Sequence, residues 1–197
     1  MPPTLNEPDG PEALDPQGGS ASPAAAARRR VNWLREVLET LVPAVLIALL
    51  INMFVAQATR VDGPSMLPGL HTDQRLVVEK ITYRLHPPRR GDVVVLKLPQ
   101  NPAELLIKRV IAVAGESVEI HDGEVWVNGQ PLAESYLAAP TEGLMPPRLV
   151  PADTVFVLGD NRSPSNDSRS FGSVSLRNVV GRAAFSYWPP ETIGLIR

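Results

Sequence analysis

The sequence predicts a mainly β protein: an antiparallel β core with an inserted β-ribbon subdomain, preceded by one N-terminal transmembrane helix. One long apolar run lies near the N-terminus, at residues 41–56. From Gln74 onward, short apolar stretches alternate with Pro, Gly, Asn and Asp, a pattern typical of strands joined by turns. The chain has 197 residues, enough for one domain of ordinary size with appendages.

Composition excludes several kinds of site. The chain has no cysteine, which excludes thiol catalysis, disulfides and cysteine-ligated metals. The histidines His71, His86 and His121 are scattered and lack the spacing of metal ligands. A formal net charge of -2 gives no bulk attraction to nucleic acid. We therefore expect no cofactor, no metal and no nucleic-acid partner.

The N-terminal part predicts a tail and a membrane anchor. Residues 1–32 are expected to be a disordered cytoplasmic tail, because most of them are Pro, Gly, Ala and Ser without apolar periodicity. Residues 33–58 are expected to form the anchor helix, since about 20 mostly apolar residues span a bilayer. Arginines 28, 29, 30 and 35 precede the apolar run, whereas Arg60 follows it nearly alone. The positive-inside rule then places the N-terminus in the cytoplasm and the residues after about 58 outside.

Two other interpretations of the apolar run remain open. A buried helix of a soluble protein would keep a polar stripe, whereas only Asn52 interrupts this run. A cleaved secretory signal is the second, because Ala56-Gln57-Ala58 has the small residues of an A-x-A site. The long tail before the arginines favours an uncleaved anchor, but cleavage after Ala58 is still possible.

The rest of the chain predicts a β core in two parts. Residues 59–115 and 154–197 are expected to form the core, and residues 116–153 a β-ribbon inserted between them. Asp122-Gly123 and Asn128-Gly129 are strong signals for tight turns in this ribbon. The proline-rich stretch 145–148 is expected to be its return loop. The predicted strands are 75–80, 92–98, 104–113, 117–121, 124–127, 154–158 and 183–187.

Ser65 and Lys108 carry the most chemical information. Ser65 lies just after the apolar run, and Lys108 lies inside the apolar segment 105–113. In a strand, Lys108 would share its face with Leu106, Val110 and Ala112, while Arg109, Ile107 and Ile111 would point the opposite way. Burial favours the neutral amine, which can accept a proton from a serine. The alternative is a lysine at a strand edge, with its head group in water.

Two further segments bear on the chemistry. Ser65 lacks the G-x-S-x-G pattern of an α/β-hydrolase, and a Ser-His-Asp triad would have to use His71, in a polar turn only six residues away. Gly63 and Pro64 form a turn that could leave the Ser65 N–H free for an oxyanion. The polar loop 159–169 alternates Asp and Arg, which suggests internal ion pairs that hold a site, although a solvated connector is the alternative.

Together these segments resemble the conserved boxes of bacterial type I signal peptidases. The matching motifs are Val61-x-Gly63-x-Ser65-Met66-x-Pro68-x-Leu70, Gly91-Asp92-Val93-Val94, Lys108-Arg109-Val110-Ile111 with Gly115, and Gly159-Asp160-Asn161-Arg162-x-x-Ser165-x-Asp167-Ser168-Arg169. The resemblance covers about residues 33–190.

The resemblance implies roles for individual residues. Ser65 would be the nucleophile, Lys108 the general base, and Ser165 the serine that bonds and orients the lysine amine. The architecture of the site would be held by Asp160, Arg162, Asp167 and Arg169, and shallow substrate pockets would be formed by Val61, Gly63, Met66, Leu70 and Ile107. Gly69 replaces a threonine common in the family motif, and Gly63 replaces a serine that in some members helps to bind the oxyanion.

The expected function is that of a membrane-anchored serine endopeptidase that removes signal peptides from exported preproteins at A-x-A sites. We expect it in the bacterial cytoplasmic membrane, as a single-pass protein with its N-terminus in the cytoplasm and its catalytic domain on the outer face. Its partners would be preproteins and the lipid bilayer. Self-cleaving repressors share Ser/Lys chemistry but carry a DNA-binding domain where this chain has an anchor. A membrane-tethered β module without catalytic activity is the other alternative.

Overall fold

The structure is a computed structural model that describes residues 23–98 and 101–196. The chain divides into a unit that ends at Leu46 and a larger compact unit that begins at Ile47. Most of the predicted disordered tail, residues 1–22, lies outside the described residues.

The first element is a long helix, α1, from Pro23 to Phe54. It begins ten residues before the predicted anchor, because Ala24–Arg30 consists of strong helix formers, so the prediction of disorder was wrong for residues 23–32. It also ends before residue 58, because a strand begins at Ala56. Residues Arg35–Phe54 have a mean hydropathy of 2.2 and none of them is buried, so this stretch is long and apolar enough to cross a membrane.

The remaining described residues form mainly antiparallel β structure, which confirms the predicted fold class. The strands are β1 Ala56–Arg60, β2 Arg75–Glu79, β3 Val93–Leu98, β4 Asn101–Val113, β5 Ser117–His121, β6 Glu124–Val127, β7 Gln130–Pro131, β8 Met145–Leu149, β9 Thr154–Leu158, β10 Val174–Ser175, β11 Val179–Trp188 and β12 Gly194–Leu195. Two short α-helices, α2 Thr82–Leu85 and α3 Ser168–Phe171, and two 3₁₀ turns, Leu176–Asn178 and Pro190–Thr192, lie between them.

Eight of these strands form the larger sheet, in the order β1-β2-β11-β3-β4-β9-β10, with β12 paired to β11. All their pairings are antiparallel. Strand β11, from the C-terminal part of the chain, therefore lies between β2 and β3. The loop after β1 and the middle of β4 carry the two residues of greatest chemical interest, so they reach one site from strands that are not neighbours in this sheet.

The smaller sheet has the order β7-β6-β5-β8 and lies within the range predicted for the inserted ribbon. The expectation of a return loop at residues 145–148 was wrong, because Met145–Leu149 pairs with β5 as strand β8. Pro146 and Pro147 have no N–H to donate, but β8 is an edge strand and has only one neighbour to satisfy.

Strand β4 passes three clusters of buried apolar side chains. Ile107 packs in one cluster with residues of β2 and β3, and Val110 in another on the opposite face, as the predicted alternation requires. Beyond Val110 the register with β9 shifts, and Ile111 and Ala112 both join the cluster that includes the smaller sheet. The bulge therefore breaks the predicted alternation at Ile111 and turns the end of β4 toward the inserted sheet.

Candidate active site

The loop between β1 and β2 holds Ser65. Its base is closed by the Val61 N–H, which donates to Gln74 O at 2.8 Å, and by the Asp73 N–H, which donates to Val61 O at 3.0 Å. Gly63 turns the chain with φ of +82°, in the left-handed region that favours glycine. Apolar side chains on both sides of Ser65 are buried in the core, so the serine is presented from an anchored loop.

Lys108 reaches Ser65 from the middle of β4. Its Nζ donates a hydrogen bond to Ser65 Oγ at 2.7 Å. The lysine is only 2% exposed and lies opposite the fully buried Val94 in the β3–β4 register. Burial lowers the pKa of Lys108 to about 8, although the carboxylates of Asp167 and Asp160 oppose this change. A substantial fraction of the amine is therefore neutral near pH 8 and can accept a proton.

The loop after β9 fixes the backbone of Ser65. The Asn161 N–H donates to Ser65 O at 3.0 Å, and Asn161 Nδ2 donates to Pro64 O at 3.1 Å. Gly159 makes this close approach possible, because a Cβ at this position would lie 2.5 Å from Ser65 O and still closer to Ser165 Oγ. Only glycine leaves room here for the Ser65 loop.

Three ion pairs hold this loop, but only one of them is internal to it. Asp167 accepts from Arg169 Nε and Nη2 at 2.8 Å each, within the loop and the start of α3. Asp160 instead binds Arg109 of β4 in a two-point pair at 2.7 and 2.8 Å, with both side chains buried.

The third pair joins Arg162 to Glu134, which precedes β8 in the chain. The expectation of purely internal ion pairs was therefore wrong for Asp160 and Arg162. Polar loop residues this deeply buried need charged partners, and those partners lie on β4 and in the segment between β7 and β8.

Asp167 organises the start of α3. Burial would raise the pKa of its carboxyl, but hydrogen bonds from Arg169 and the Gly159 N–H, together with the nearby Ser165 hydroxyl, lower it below its usual value. Its Oδ1 also accepts from the Arg169 N–H at 3.2 Å, which caps the helix. The ionised carboxylate therefore joins the two ends of the loop.

Ser165 lies differently from what the family resemblance implies. Its buried Oγ has no hydrogen bond of ordinary geometry among the described residues, although it is near enough to the Asp167 carboxylate to affect that group's pKa. The expected bond to Lys108 is absent in this structure, in which the lysine amine donates to Ser65 instead. A buried hydroxyl without a hydrogen-bond partner costs folding free energy. The Ser165 hydroxyl can therefore still donate to, or accept from, a group that comes near it.

The residues expected to line substrate pockets are mostly buried. Four of them pack in one apolar cluster with Val93 and Val95, and Gly63 is half-buried. Because these side chains expose little surface, any contact with a substrate would be made at the edges of this cluster. The four are Val61, Met66, Leu70 and Ile107.

Sequence reasoning missed several residues of the site. Glu134, Tyr136 and Thr141 lie between β7 and β8, far in sequence from Ser65 and Lys108, yet they contact Arg109 or Arg162. Their segment has no periodicity to draw attention to it. The one usable signal was that a buried Arg162 would need a carboxylate partner. This signal did not identify which acidic residue would be that partner.

Comparisons with known proteins identify similar sequences. A model of the family described as signal peptidase, peptidase S26, matches residues 34–188. A signal peptidase I from Leptolyngbya laminosa is 44% identical over 186 residues, which cover 91% of this chain and 92% of the relative. A probable signal peptidase I-1 from Synechocystis is 40% identical over 169 residues, which cover 82% of this chain and 86% of the relative. Signal peptidase I T from Bacillus subtilis is 34% identical, with coverage of 83% and 90%.

Proposed function

The chain belongs to the signal peptidase family, peptidase S26, and on this premise we propose that it removes signal peptides from exported preproteins with Ser65 as nucleophile and Lys108 as general base. The observation that carries the assignment of residues is the 2.7 Å hydrogen bond between Lys108 Nζ and Ser65 Oγ. A buried lysine with a lowered pKa, in contact with a serine hydroxyl, is suited to activate that serine.

Neutral Lys108 takes the proton of Ser65 as Oγ attacks the carbonyl carbon of the scissile peptide bond. When the tetrahedral intermediate collapses, the lysine returns that proton to the leaving amine, and an acyl-enzyme remains. A water then gives a proton to Lys108 and attacks the ester carbonyl. As the bond between the carbonyl carbon and Oγ breaks, Lys108 returns this proton to Ser65 Oγ, and the signal peptide leaves with a new C-terminal carboxyl group. Protons and bonds balance without a metal ion or a redox cofactor.

The backbone of Ser65 supports stabilisation of the oxyanion. Its N–H has no hydrogen-bond acceptor within residues 23–98 and 101–196, so it can donate to the negative oxygen. Gly63 has no side chain to add a second donor, and a Cβ at this position would meet no atom within 4 Å. The space beside Gly63, two residues before the serine, is therefore open.

The substrate would bind as an extended strand that adds to a β edge and places small side chains against the apolar cluster beside Ser65. In this cluster Leu70 and Ile107 expose only 5% and 8% of their surface, so the contact it offers is shallow and suits alanine better than large residues. Cleavage at A-x-A sites follows from this match of size. The proposed substrates are exported preproteins with such A-x-A sites, and no nucleic-acid partner is proposed.

The helix α1 would anchor the enzyme in the bacterial cytoplasmic membrane. Ser65 lies eleven residues beyond Phe54, the last residue of α1, so it is at most about 40 Å along the chain from the end of the anchor. The cluster of arginines before the apolar run favours a cytoplasmic N-terminus and a catalytic domain on the outer face. Tethering beside the bilayer raises the effective concentration of membrane-bound substrates.

Cleavage of an A-x-A preprotein by the full chain in detergent or lipid tests this function. Wild type is expected to cut after the second alanine, and Ser65→Ala and Lys108→Ala are expected to be inactive while folded. Ser163→Ala and Lys97→Ala are matched controls, because both residues are exposed, and these variants should keep full activity. Near-normal rates in a folded Ser65 or Lys108 variant would disprove the dyad. A wild type that binds the preprotein without cutting it would favour the non-catalytic β module.

A further inference from the structure

The segment between β7 and β8 contacts Arg109 and Arg162, two arginines close to the proposed dyad. We call residues 132–141 the bridging segment. It lies between β7 and β8 in the chain, and it carries the buried Thr141, the half-buried Tyr136 and Glu134, whose side chain is 5% exposed. Its contacts fall on Arg109, which follows Lys108 in β4, and on Arg162 of the loop after β9, whose Asn161 bonds the Ser65 backbone.

On the Ser65 side, the bridging segment binds Arg162. Glu134 accepts from Arg162 Nη1 at 2.9 Å and from Nη2, and Thr141 Oγ1 accepts from Nη1 as well. The Arg162 and Glu134 side chains are only 3% and 5% exposed. Arg162 Nε in turn donates to Gly159 O at 3.0 Å, two residues from the Asn161 N–H that holds Ser65 O. The carboxylate of Glu134 therefore fixes the loop on which the serine backbone rests.

On the Lys108 side, the bridging segment supports Arg109. The Arg109 guanidinium lies 4.0 Å from the centre of the Tyr136 ring, a cation–π distance. The Tyr136 hydroxyl donates to Glu134 Oε1, so the two contacts are joined. Burial and the neighbouring carboxylate raise the pKa of Tyr136, which keeps the hydroxyl protonated as a donor. One linked pair of side chains thus touches both Arg109 and Arg162.

We propose that Glu134 and Tyr136 are positioning residues that set the Lys108–Ser65 distance and thereby the burial of the lysine amine. They act through Arg109 and Arg162 and do not touch the reacting atoms. The inference rests on the proposed function, and it gives the inserted sheet a task, namely to carry the bridging segment to the site. Arg109 contacts the Tyr136 ring, pairs with Asp160 and follows Lys108 directly in β4, so it links Tyr136 to the strand that carries the lysine.

Loss of this support has a defined electrostatic consequence. The charged groups that act on Lys108 are Asp167 and Asp160, which raise its pKa, Arg169, which lowers it, and Glu104 of its own strand, which raises it. Burial outweighs them and lowers the pKa. If the bridging segment loosens and water enters, the burial effect shrinks and the pKa of Lys108 rises toward the ordinary value of 10.5.

The test compares Tyr136→Leu and Glu134→Gln in the full chain in detergent. The matched control is Tyr83→Leu, because Tyr83 is also half-buried and also donates its hydroxyl to a carboxylate, Asp92 Oδ2 at 3.0 Å. Two quantities are measured: kcat and KM on an A-x-A peptide, and the pKa of Lys108 from its ¹³Cε signal. The chain has only three lysines, so a Lys108→Arg sample identifies this signal.

Both test variants are expected to lose about 10- to 100-fold in kcat with little change in KM, because a small displacement of the reacting groups slows the chemical step without weakening substrate binding. The pKa of Lys108 should rise by about one unit or more in both. Tyr83→Leu should match wild type in kcat and in the Lys108 pKa. An unchanged pKa and kcat in folded Tyr136→Leu, or equal changes in Tyr83→Leu, would overturn the proposal.

If the leucine and glutamine variants do not fold, Tyr136→Phe decides, since it keeps the ring and removes only the bond to Glu134. We then expect a smaller change in the same direction, and a kcat and Lys108 pKa identical to wild type would overturn the proposal. Failure of the proposed function is distinguishable. A wild type that cuts nothing would refute the peptidase activity, whereas the shift of the Lys108 pKa would still support the positioning role.

Discussion

Gly159→Ala is the sharpest test of how the site is assembled. The new Cβ would lie 2.5 Å from the Ser65 carbonyl oxygen, whereas ordinary contacts begin near 3.4 Å. Ser165 is also too close: its Oγ could rotate away, but its Cβ, at 2.7 Å, is fixed to the backbone and would have to move with it. The Ser65 carbonyl is backbone and is held by the Asn161 N–H at 3.0 Å, so the two chain segments themselves must separate by about 0.9 Å.

A shift of this size would stretch the Lys108–Ser65 contact from 2.7 Å toward the limit of hydrogen bonding. We expect kcat to fall about 100-fold, because small misplacements of a nucleophile carry costs of this order. The assay is steady-state cleavage of an A-x-A peptide by the full chain in detergent, with thermal unfolding measured on the same samples. KM should change less than kcat, since the apolar cluster beside Ser65 is not directly displaced.

Gly69→Ala is the matched control for this experiment. The same methyl group at Gly69 would lie 3.6 Å from Asp160 Oδ2 and 3.6 Å from Met66 O, which are ordinary contacts. This variant should keep wild-type kcat and gain about 0.4–1 kcal/mol of stability from a less flexible unfolded chain. A folded Gly159→Ala enzyme with near wild-type kcat would refute the argument that this glycine sets the position of Ser65.

The other predictions concern protonation, the ion pairs and the anchor. Because the neutral form of Lys108 is the active base and its pKa is about 8, kcat/KM should rise as pH increases through about 8, and a profile that is flat from pH 6 to 10 would contradict a lysine base. Asp167→Asn should cost about 2–3 kcal/mol in urea unfolding, since it leaves the Arg169 guanidinium and the Gly159 N–H without their carboxylate. Because the pKa of Asp167 is lowered in the folded state, its stabilisation is present above its unfolded pKa and is lost as pH falls through the folded value; the Asn variant should lack this part of the acid sensitivity. Removal of residues 1–54 keeps β1 intact and should reduce cleavage of membrane-embedded preproteins far more than cleavage of short peptides, whereas equal losses would argue against tethering.

Most strands could be predicted from the sequence because they carry their own signals. Strands β5, β6 and β9 have the predicted bounds: the Asp122-Gly123 turn separates β5 from β6, and β9 is a short apolar run followed by Gly159 and Asp160. Strand β8 was missed because two prolines usually end a strand, and only its place at the edge of a sheet permits them. Its location depends on long-range pairing, which local sequence does not specify.

In the candidate site, too, local sequence predicted some residues, whereas others depend on long-range contacts. The apolar flanks of Lys108 indicated its burial, and the motif around Ser65 indicated a turn. The partner of Arg162 could not be predicted, because Glu134 lies 28 residues away in a segment without strand or helix signals. The orientation of Ser165 was also beyond local reasoning, since it depends on where the lysine amine points once three chain segments meet.

The place of β11 in the larger sheet has a consequence for how the enzyme folds during its synthesis. This strand separates β2 from β3, so the sheet that brings the Ser65 loop to β4 is incomplete until residues 179–188 have been made. A growing chain already contains Ser65, Lys108 and the whole loop at 159–169 before that point, but it lacks the strand that sets their spacing. The protease would thus stay inert through most of its own synthesis and become competent only when its last long strand is inserted.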